Sequence, residues 1–377
     1  MTSESVESPA AVGDVPEGST RTTVWTRRGE INAPVFVPDA TRGVVRGVAT
    51  SLYAAQGVEA TLVSTAHLAS QPGASAVASL GGVHAFMGWD RPVISDSGGF
   101  QVFSLLGSNR SLAKVSDAGL EYRFSPKQKY RQLSPRSCIE AQVRLGADII
   151  YALDYCTHPS APDGEQDRSV ELTLRWAAEC RKRFDELVAD LPAENRPLLF
   201  AVVQGGSSAE RRKHCAEALA EIGFDGYGFG GYPINEGRLV DEVALVAELT
   251  PPGSVLHGLG IGTPENVVSA WRAGYDIFDC TLPTRNARRG VLYSQLDTSA
   301  LDAPRFYRYA RMEDERWVRN KGPVDPGCDC EPCTTVPAGY LAHLYRIEDP
   351  LAGILGSLHN LRFYVRLMNA LRAERER

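Results

Sequence analysis

The chain has 377 residues, of which 43% are hydrophobic and 23% are charged, and its formal net charge is −6. This composition excludes a disordered or fibrous protein, and no apolar run reaches the roughly 18 residues that cross a bilayer. The length fits one large α/β barrel or two medium domains. Taken alone, the negative charge argues against a nucleic-acid partner, because Lys and Arg drive phosphate binding.

The charge is unevenly distributed along the chain. Residues 1–20 carry four acidic side chains and no Lys or Arg, and they are rich in Ser, Pro and Gly, which predicts a disordered tail. This segment lacks the basic start and the apolar stretch of a secretory signal, so we expect a cytoplasmic protein. Between Arg285 and Lys321 there are nine basic side chains against five acidic ones. The count fits a local basic surface, and chance clustering fits it equally well.

Short β-branched or aromatic runs alternate with segments of helical apolar spacing along most of the chain. The runs are VFVP (35–38), TLVS (61–64), PVISD (92–96), DIIYALD (148–154), LLFAVVQ (198–204), GYGFGG (226–231), VLHGLG (255–260) and IFDCTL (277–282). Such alternation predicts a parallel sheet that helices cover on both faces. Eight units are the number of a (β/α)8 TIM barrel. A doubly wound open sheet is the alternative, but no GxGxxG follows the first strand.

Polar residues and two glycines stand where the predicted strands end, which is the face that carries active sites in barrels. They are Ser64, Asp96, Asp154, Gln204, Gly231, Gly260 and Asp279. An Asp at the end of an apolar run is costly to bury without a partner, so three of them together favour a functional site over helix caps or loop ion pairs.

Asp96 and Asp279 are the candidate catalytic pair. Asp96 opens SDSGGFQVFSL, in which paired glycines allow close approach of a ligand and Phe100 offers a flat face. Asp279 lies beside the basic cluster. Two carboxylates at one barrel mouth suit displacement at an anomeric carbon, where one attacks C1′ of a sugar and the other moves a proton. Asp154 and Gln204 could then bind the edge of a heterocycle. The alternative is that Asp96 or Asp279 holds a metal ion.

A cysteine cluster near the C-terminus predicts a structural zinc site. Cys328, Cys330 and Cys333 are followed 26 residues later by His359 in a helical run, and three thiolates with one imidazole complete a tetrahedral site. An iron–sulfur cluster would normally take Cys as its fourth ligand. We predict a disordered tail over 1–20, a catalytic barrel over 21–303, a zinc-binding subdomain over 304–360 and a C-terminal helix over 361–377 that packs on the barrel.

From about residue 34 to residue 368, the sequence resembles the bacterial tRNA-guanine transglycosylases. The motifs that carry the resemblance are SDSGGFQVFSL, LDYCTH, VVQGG, IGFDGYGFGG, FDCTLPTRNAR and CDCEPC with the distant His359. The resemblance implies a zinc-containing (β/α)8 barrel with one structural Zn²⁺ per chain and no organic cofactor. It also implies exchange of guanine at the anticodon wobble position for a 7-deazaguanine. The implied partners are a tRNA with a GUN anticodon, the 7-deazaguanine base and a second copy of the chain in a homodimer, with no membrane.

The resemblance also assigns roles to residues by position. Asp279 matches the nucleophile, Asp96 matches the general acid/base, and Cys328, Cys330, Cys333 and His359 match the zinc ligands. The matched substrate-binding residues are Asp96, Ser97, Gly98, Gly99, Phe100, Asp154, Gln204, Gly231 and Leu259. The matched RNA-contacting residues are Gly260, Ile261, Gly262, Thr263, Pro264, Glu265, Asn266, Thr284, Arg285, Asn286, Ala287 and Arg288.

The sequence departs from the family pattern around the predicted base pocket. The family usually has GNTFHL or GNTYHL where this sequence has VSTAHL. Ser64 and Ala66 therefore occupy positions where Asn and an aromatic residue are usual. Tyr155 replaces a Glu, and GGYPINE with Tyr232, Pro233 and Asn235 stands for GGLAVGE. These departures leave open an atypical 7-deazaguanine such as queuine, a DNA or another RNA position as the polymer, and a non-catalytic RNA-binding relative.

Overall fold

A computed structural model describes residues 23–109 and 111–375, so the predicted tail over 1–20 lies outside the described residues. The first element is an antiparallel hairpin of β1 (Thr23–Thr26) and β2 (Gly29–Asn32). Its Val24 and Ile31 are buried in the same apolar cluster as the barrel interior. The hairpin therefore closes one end of the barrel and leaves the other end for a site.

The first half of the barrel also carries a small antiparallel sheet. Its elements are β3 (Val35–Pro38), α1 (Thr50–Ala54), β4 (Thr61–Ser64), α2 (Thr65–Ser70), α3 (Ala74–Ser79), α4 (Gly82–Met87), β5 (Val93–Asp96), α5 (Gly99–Ser108), β6 (Ala113–Ser116), β7 (Gly119–Tyr122), β8 (Arg131–Leu133), α6 (Pro135–Leu145), β9 (Ile149–Tyr151) and α7 (Asp163–Val188). Strands β6, β7 and β8 form the separate sheet. Helix α6 shows how local sequence sets its limits: a Ser134–Ser137 capping box precedes it and Gly146 in the left-handed conformation ends it.

The second half completes a ring of eight parallel strands. Its elements are β10 (Leu198–Val203), α8 (Ala209–Ile222), β11 (Gly226–Phe229), β12 (Ile234–Asn235), β13 (Arg238–Leu239), α9 (Glu242–Leu249), β14 (Val255–Gly258), α10 (Pro264–Arg272), β15 (Ile277–Cys280) and α11 (Leu282–Ala287). The strand order is β3-β15-β14-β11-β10-β9-β5-β4, and a parallel bridge between Asp39 and Leu62 joins the two ends. The predicted (β/α)8 barrel is thus confirmed, and each of its strands lies within a predicted run.

Alternation along the strands fills the barrel with apolar side chains and places polar ones at its mouth. The interior cluster includes Val37, Ile94, Tyr151, Phe200 and Ile277. Because side chains in a strand point to one face at every second residue, the inward series that contains Ile94 continues to Asp96, and the series that contains Ile277 continues to Asp279. The same alternation that packs the barrel therefore aims both candidate carboxylates at its open end.

The C-terminal part packs on the barrel around a small core of its own. It contains β16 (Val291–Ser294), β17 (Arg308–Arg311), α12 (Glu331–Thr335), α13 (Ala338–Arg346) and α14 (Pro350–Arg375). Strands β16 and β17 pair with each other across the sequence-based boundary at 303/304, and α14 runs through the boundary at 360/361. Among the described residues, no helix has the length and apolarity that crossing a membrane requires.

Candidate active site

A cavity of about 400 Å³ opens at the C-terminal ends of the barrel strands. It brings together residues that the sequence distributes over more than 180 positions. The predicted residues that line it are Asp96, Ser97, Phe100, Asp154, Gln204, Gly231, Leu259, Gly260 and Asp279. Gly98 and Gly99 lie behind its wall, at the start of α5. A Cβ at Gly99 would lie 2.8 Å from the Asp154 carbonyl oxygen, so glycine permits this close approach.

Asp96 ends β5 inside a shell of hydrogen-bond donors. The Thr65 backbone N–H donates to Oδ1 at 2.9 Å, and Gln101 Nε2 donates to Oδ2 at 2.8 Å. Burial is the largest influence on this carboxyl group and raises its pKa to about 7, with a further increase from the charge of Asp39 that the hydrogen bonds partly oppose. Both protonation states of Asp96 are therefore accessible at neutral pH, as proton transfer in two directions requires.

Asp154 and Gln204 form a polar pair in the cavity, where they follow the neighbouring strands β9 and β10. Gln204 Nε2 donates to Asp154 Oδ2 at 2.8 Å, and Ser97 Oγ donates to Asp154 Oδ1 at 3.0 Å. Burial raises the pKa of Asp154, and these two hydrogen bonds oppose the increase. A buried carboxylate beside an amide can accept and donate hydrogen bonds at once, which suits the edge of a purine-like base.

Asp279 lies in β15, next to the cavity and mostly shielded from solvent. Its Oδ1 accepts a hydrogen bond from the Gly260 backbone N–H at 3.2 Å, and His257 Nε2 lies 3.0 Å from the same oxygen. Both contacts involve Oδ1, so Oδ2 is the oxygen available to a substrate. Sequence reasoning did not identify His257, although an imidazole in the apolar run VLHG is the kind of exception that marks a site.

Asp39 is a further carboxylate at the cavity that sequence reasoning missed. Its Oδ1 accepts hydrogen bonds from the backbone N–H of Thr41 at 2.6 Å and from the Thr41 hydroxyl. Burial raises the pKa of Asp39, and the charge of Asp279 raises it further. The available signal was its position after VFVP, because Asp39 ends an apolar run in the same way as Asp96 does.

Aromatic side chains surround the mouth of the cavity. Phe100 and Tyr232 are 50% and 37% exposed, with ring centroids 6.4 Å apart, and the His158 ring lies 5.4 Å from Tyr232. Leu259 lines the cavity as well. Exposed aromatic rings beside a polar cavity offer stacking surfaces for a planar base.

A buried guanidinium supports the loops that carry Gln204 and Gly231. Arg212 donates to the carbonyl oxygens of Val203 at 2.7 Å, Gly206 at 3.0 Å and Gly230 at 3.0 Å. Burial is the main influence on this group and lowers its pKa to about 10, so it keeps its charge at neutral pH. Three hydrogen bonds from one planar group to carbonyl oxygens fix the two loops relative to each other.

The two segments matched to RNA contact lie beside the cavity, at the start of α10 and on α11. Within them, Arg285 and Glu265 are exposed, and Asn286 and Arg288 are partly exposed. The buried members are Ile261, Gly262, Pro264, Asn266, Thr284 and Ala287. For these six, the structure offers no side-chain surface to an RNA. Of the two arginines in these segments, Arg285 is exposed and Arg288 is partly exposed.

The four predicted zinc ligands meet in one cluster. The ligand atoms of Cys328, Cys330, Cys333 and His359 lie within 4.8 Å of one another. His359 Nδ1 is 3.4 Å from Cys330 Sγ and 3.3 Å from Cys333 Sγ, close to the separation of about 3.5 Å that a tetrahedral zinc implies. His359 Nε2 lies 2.6 Å from the Tyr293 carbonyl oxygen, to which it donates, so Nδ1 is left to face a metal. The donor set fits a closed structural Zn²⁺ site.

Comparison with known proteins identifies the family. The family model described as Queuine tRNA-ribosyltransferase matches residues 17–375. The protein named Queuine tRNA-ribosyltransferase from Koribacter versatilis is 37% identical over 354 residues, which cover 92% of this chain and 88% of that protein. Its namesake from Zymomonas mobilis subsp. mobilis is 38% identical over 361 residues, with 94% and 88% covered. The chain belongs to the queuine tRNA-ribosyltransferase family. It is therefore an enzyme, a transferase of tRNA modification.

Most of the departures from the pattern of this family lie at or near the cavity. Ser64 Oγ is 3.1 Å from His67 Nδ1, at the end of β4 beside Asp96. Ala66 is fully buried under Gly98. The Tyr155 hydroxyl donates to Glu165, away from the cavity. Tyr232 and Pro233 line the cavity directly, and Pro233 has no backbone N–H to donate.

Proposed function

We propose that this chain exchanges guanine at the wobble position of a tRNA with a GUN anticodon for a 7-deazaguanine, through a covalent intermediate on Asp279. The observation that carries the proposal is the meeting of Asp96 and Asp279 in one cavity at the strand ends of this family member. The acid/base carboxylate can occupy either protonation state at neutral pH, and the other carboxylate keeps one oxygen free.

The reaction divides into two displacements at the sugar. In the first, Asp279 Oδ2 bonds to C1′ of the ribose, the C1′–N9 bond of guanine breaks, and its electron pair leaves with N9, which takes a proton from Asp96. In the second, N9 of the incoming base attacks C1′ and gives its proton to Asp96. The electron pair of the C1′–Oδ2 bond then returns to Asp279. No energy source is needed, because one glycosidic bond replaces another.

The remaining cavity residues bind the base. Asp154 and Gln204 hydrogen-bond its edge, with Ser97, Gly98 and Gly99 holding Asp154 in place and Gly231 presenting backbone groups. Phe100 and Leu259 enclose the faces of the ring. These assignments agree with the depth of the cavity, since Asp154 and Gln204 are buried and Phe100 is at the mouth.

The polymer contacts the barrel face beside the cavity. We infer that Arg285 and Arg288 bind anticodon phosphates, with Asn286 and the 260–266 segment next to them. Burial and the nearby charges of Arg46, Arg285 and Arg289 all lower the pKa of Arg288, which shows how closely these cations crowd together. Such crowding is unfavourable until an anion neutralises it. We also propose a homodimer and a cytoplasmic location, which accord with the family and with its tRNA substrate.

Zinc supports this surface and takes no part in the chemistry. Cys328, Cys330, Cys333 and His359 would hold it with all four positions filled, so no coordination site is left for water or substrate. We propose that the ion fixes α12 to α14 and thereby holds the basic C-terminal part against the barrel.

Two residues at the cavity bear on the choice of the incoming base. Pro233 removes a donor from the pocket wall, and Tyr232 adds a hydroxyl-bearing ring at the mouth. We therefore propose a 7-deazaguanine whose 7-substituent does not rely on a backbone N–H at position 233.

The test is a base-exchange assay with a panel of substrates. The chain is incubated with tRNA carrying guanine-34 or adenosine-34 and with guanine, 7-aminomethyl-7-deazaguanine, the 7-cyano base or queuine, and nucleosides are measured by mass spectrometry. We expect uptake only into guanine-34 tRNA, and loss of uptake in Asp279→Ala. Uptake into DNA or at another RNA position would contradict the polymer assignment, and RNA binding without any uptake would indicate a non-catalytic relative.

A further inference from the structure

A chain of three polar side chains crosses the barrel interior and ends at Asp279. The Tyr151 hydroxyl lies 2.6 Å from His257 Nδ1, and His257 Nε2 lies 3.0 Å from Asp279 Oδ1. Tyr151 belongs to β9, His257 to β14 and Asp279 to β15, so these three side chains link three strands. His257 is fully buried and Tyr151 nearly so.

The fold makes room for this arrangement beneath the cavity. The side chains of Tyr151 and Leu259 pass over Gly228 in β11, where an added Cβ would lie 3.5 Å from the Tyr151 ring and 2.8 Å from Leu259. The Tyr151 ring also packs edge-on against Phe200 at 5.5 Å. Close packing on these sides restricts the tyrosine ring, and its hydroxyl lies toward His257.

The positions of the protons in this row of three side chains follow from the groups at its two ends, Tyr151 and Asp279. Burial raises the pKa of Tyr151 far above its usual range, so its hydroxyl keeps its proton and can donate to His257 Nδ1. With Nδ1 accepting, Nε2 is the ring nitrogen that carries a proton, and it faces the Asp279 carboxylate. The opposite tautomer would turn a lone pair toward that negative charge.

We propose that His257 is a positioning residue for Asp279, and that Tyr151 fixes its tautomer. This inference rests on the proposed role of Asp279 as nucleophile. His257 Nε2 lies 3.0 Å from Oδ1 without a hydrogen bond to it, and the Gly260 N–H donates to the same oxygen. Both groups therefore lie on the Oδ1 side of the carboxylate and leave Oδ2 toward C1′ of the ribose.

His257 keeps its proton throughout the reaction. The bond that forms is Oδ2–C1′, the bond that breaks is C1′–N9, and the proton that moves passes between Asp96 and N9. The donor at Oδ1 holds the carboxylate in one rotamer during attack, and it stabilises the charge that returns when the incoming base displaces Asp279. A misplacement of the nucleophile by about 1 Å can cost about 100-fold in rate.

Two conservative variants distinguish the contact of Nε2 with Asp279 from the contact of Nδ1 with Tyr151. In His257→Gln the side-chain amide can reach the position of Nε2 and contact Asp279. In His257→Asn the shorter amide can reach only the position of Nδ1 and contact Tyr151. Both keep a polar group in the barrel, so a difference between them reports on the contact with Asp279 and not on the loss of a histidine.

The experiment measures kcat and KM of the full chain for guanine exchange into guanine-34 tRNA, together with the rate of covalent RNA adduct formation on denaturing gels. We expect His257→Asn to lower kcat and the adduct rate about 10- to 100-fold, with KM for tRNA changed less than about twofold. His257→Gln should stay within about threefold of the wild type, and Tyr151→Phe should fall between them.

Three outcomes are distinguishable. Equal rates for the wild type and both His257 variants, or equal losses in both variants with melting temperatures unchanged, would overturn the inference while the proposed function stands. If either variant unfolds, Tyr151→Phe with the wild-type melting temperature must still lower kcat, and an unchanged kcat would contradict the proposal. No exchange and no adduct in the wild type would instead reject the proposed function.

Discussion

Gln204 Nε2 donates a hydrogen bond to Asp154 Oδ2 at 2.8 Å, so the two groups proposed to bind the base are already paired across the cavity wall. The pair is buried, and Ser97 holds the other carboxylate oxygen. A base that enters this cavity meets a preformed surface whose polar groups lose little conformational freedom on binding.

Replacing Asp154 by Asn should weaken base binding with little effect on tRNA binding. The amide can no longer accept hydrogen bonds at both positions, and a buried donor is left facing Gln204 or Ser97. We expect KM for the incoming base to increase about 10- to 100-fold, as measured by steady-state exchange. Ser97→Ala is the matched control and should increase KM about threefold or less. An unchanged KM in Asp154→Asn would remove this residue from the base site.

The pH dependence should report Asp96. Burial raises its pKa to about 7, and release of guanine needs the protonated form, so kcat/KM for tRNA should fall as pH increases above about 7. The charge of Asp39 contributes to the increase in the pKa of Asp96. Asp39→Asn should therefore move the descending limb to lower pH, as steady-state rates between about pH 5.5 and 9 would show. A limb at the same pH in both proteins would contradict the assignment.

Removing a zinc ligand should destabilise the C-terminal part more than it alters the chemistry. Cys333→Ser should lower the zinc content, measured by atomic absorption, from one ion per chain to near zero. It should also lower the free energy of unfolding by about 3–5 kcal/mol in a denaturant titration. Cys215→Ala changes a buried thiol outside the cluster and should retain one zinc per chain. Full zinc content in Cys333→Ser would show that the cluster is not the metal site.

The eight barrel strands were predictable because each is a short apolar run bounded by turn residues, as VFVP and LLFAVV are. The sheet of β6, β7 and β8 was not predicted, since AKVS, GLEY and RQL are short and half polar, and their pairing depends on tertiary contacts.

The catalytic carboxylates could be predicted from the strand ends. The residues that support them from inside the barrel could not. Asp96 and Asp279 stand at the ends of apolar runs, where a barrel places function. His257 and Tyr151 lie within such runs, and their contact depends on which side chains meet across the barrel interior, which strand order alone does not give. Likewise, a motif match cannot show that Thr284 and Ala287 are buried.

The most direct test of covalent catalysis by Asp279 is to locate the covalent bond between enzyme and RNA. The chain is incubated with guanine-34 tRNA without an incoming base, denatured, and digested with protease and nuclease, and the peptide that carries the ribose is sequenced by mass spectrometry. We expect a single adduct, in which the abasic nucleotide is bonded to Asp279, and we expect no adduct in Asp279→Asn. An adduct on another residue, or exchange without any adduct, would contradict it.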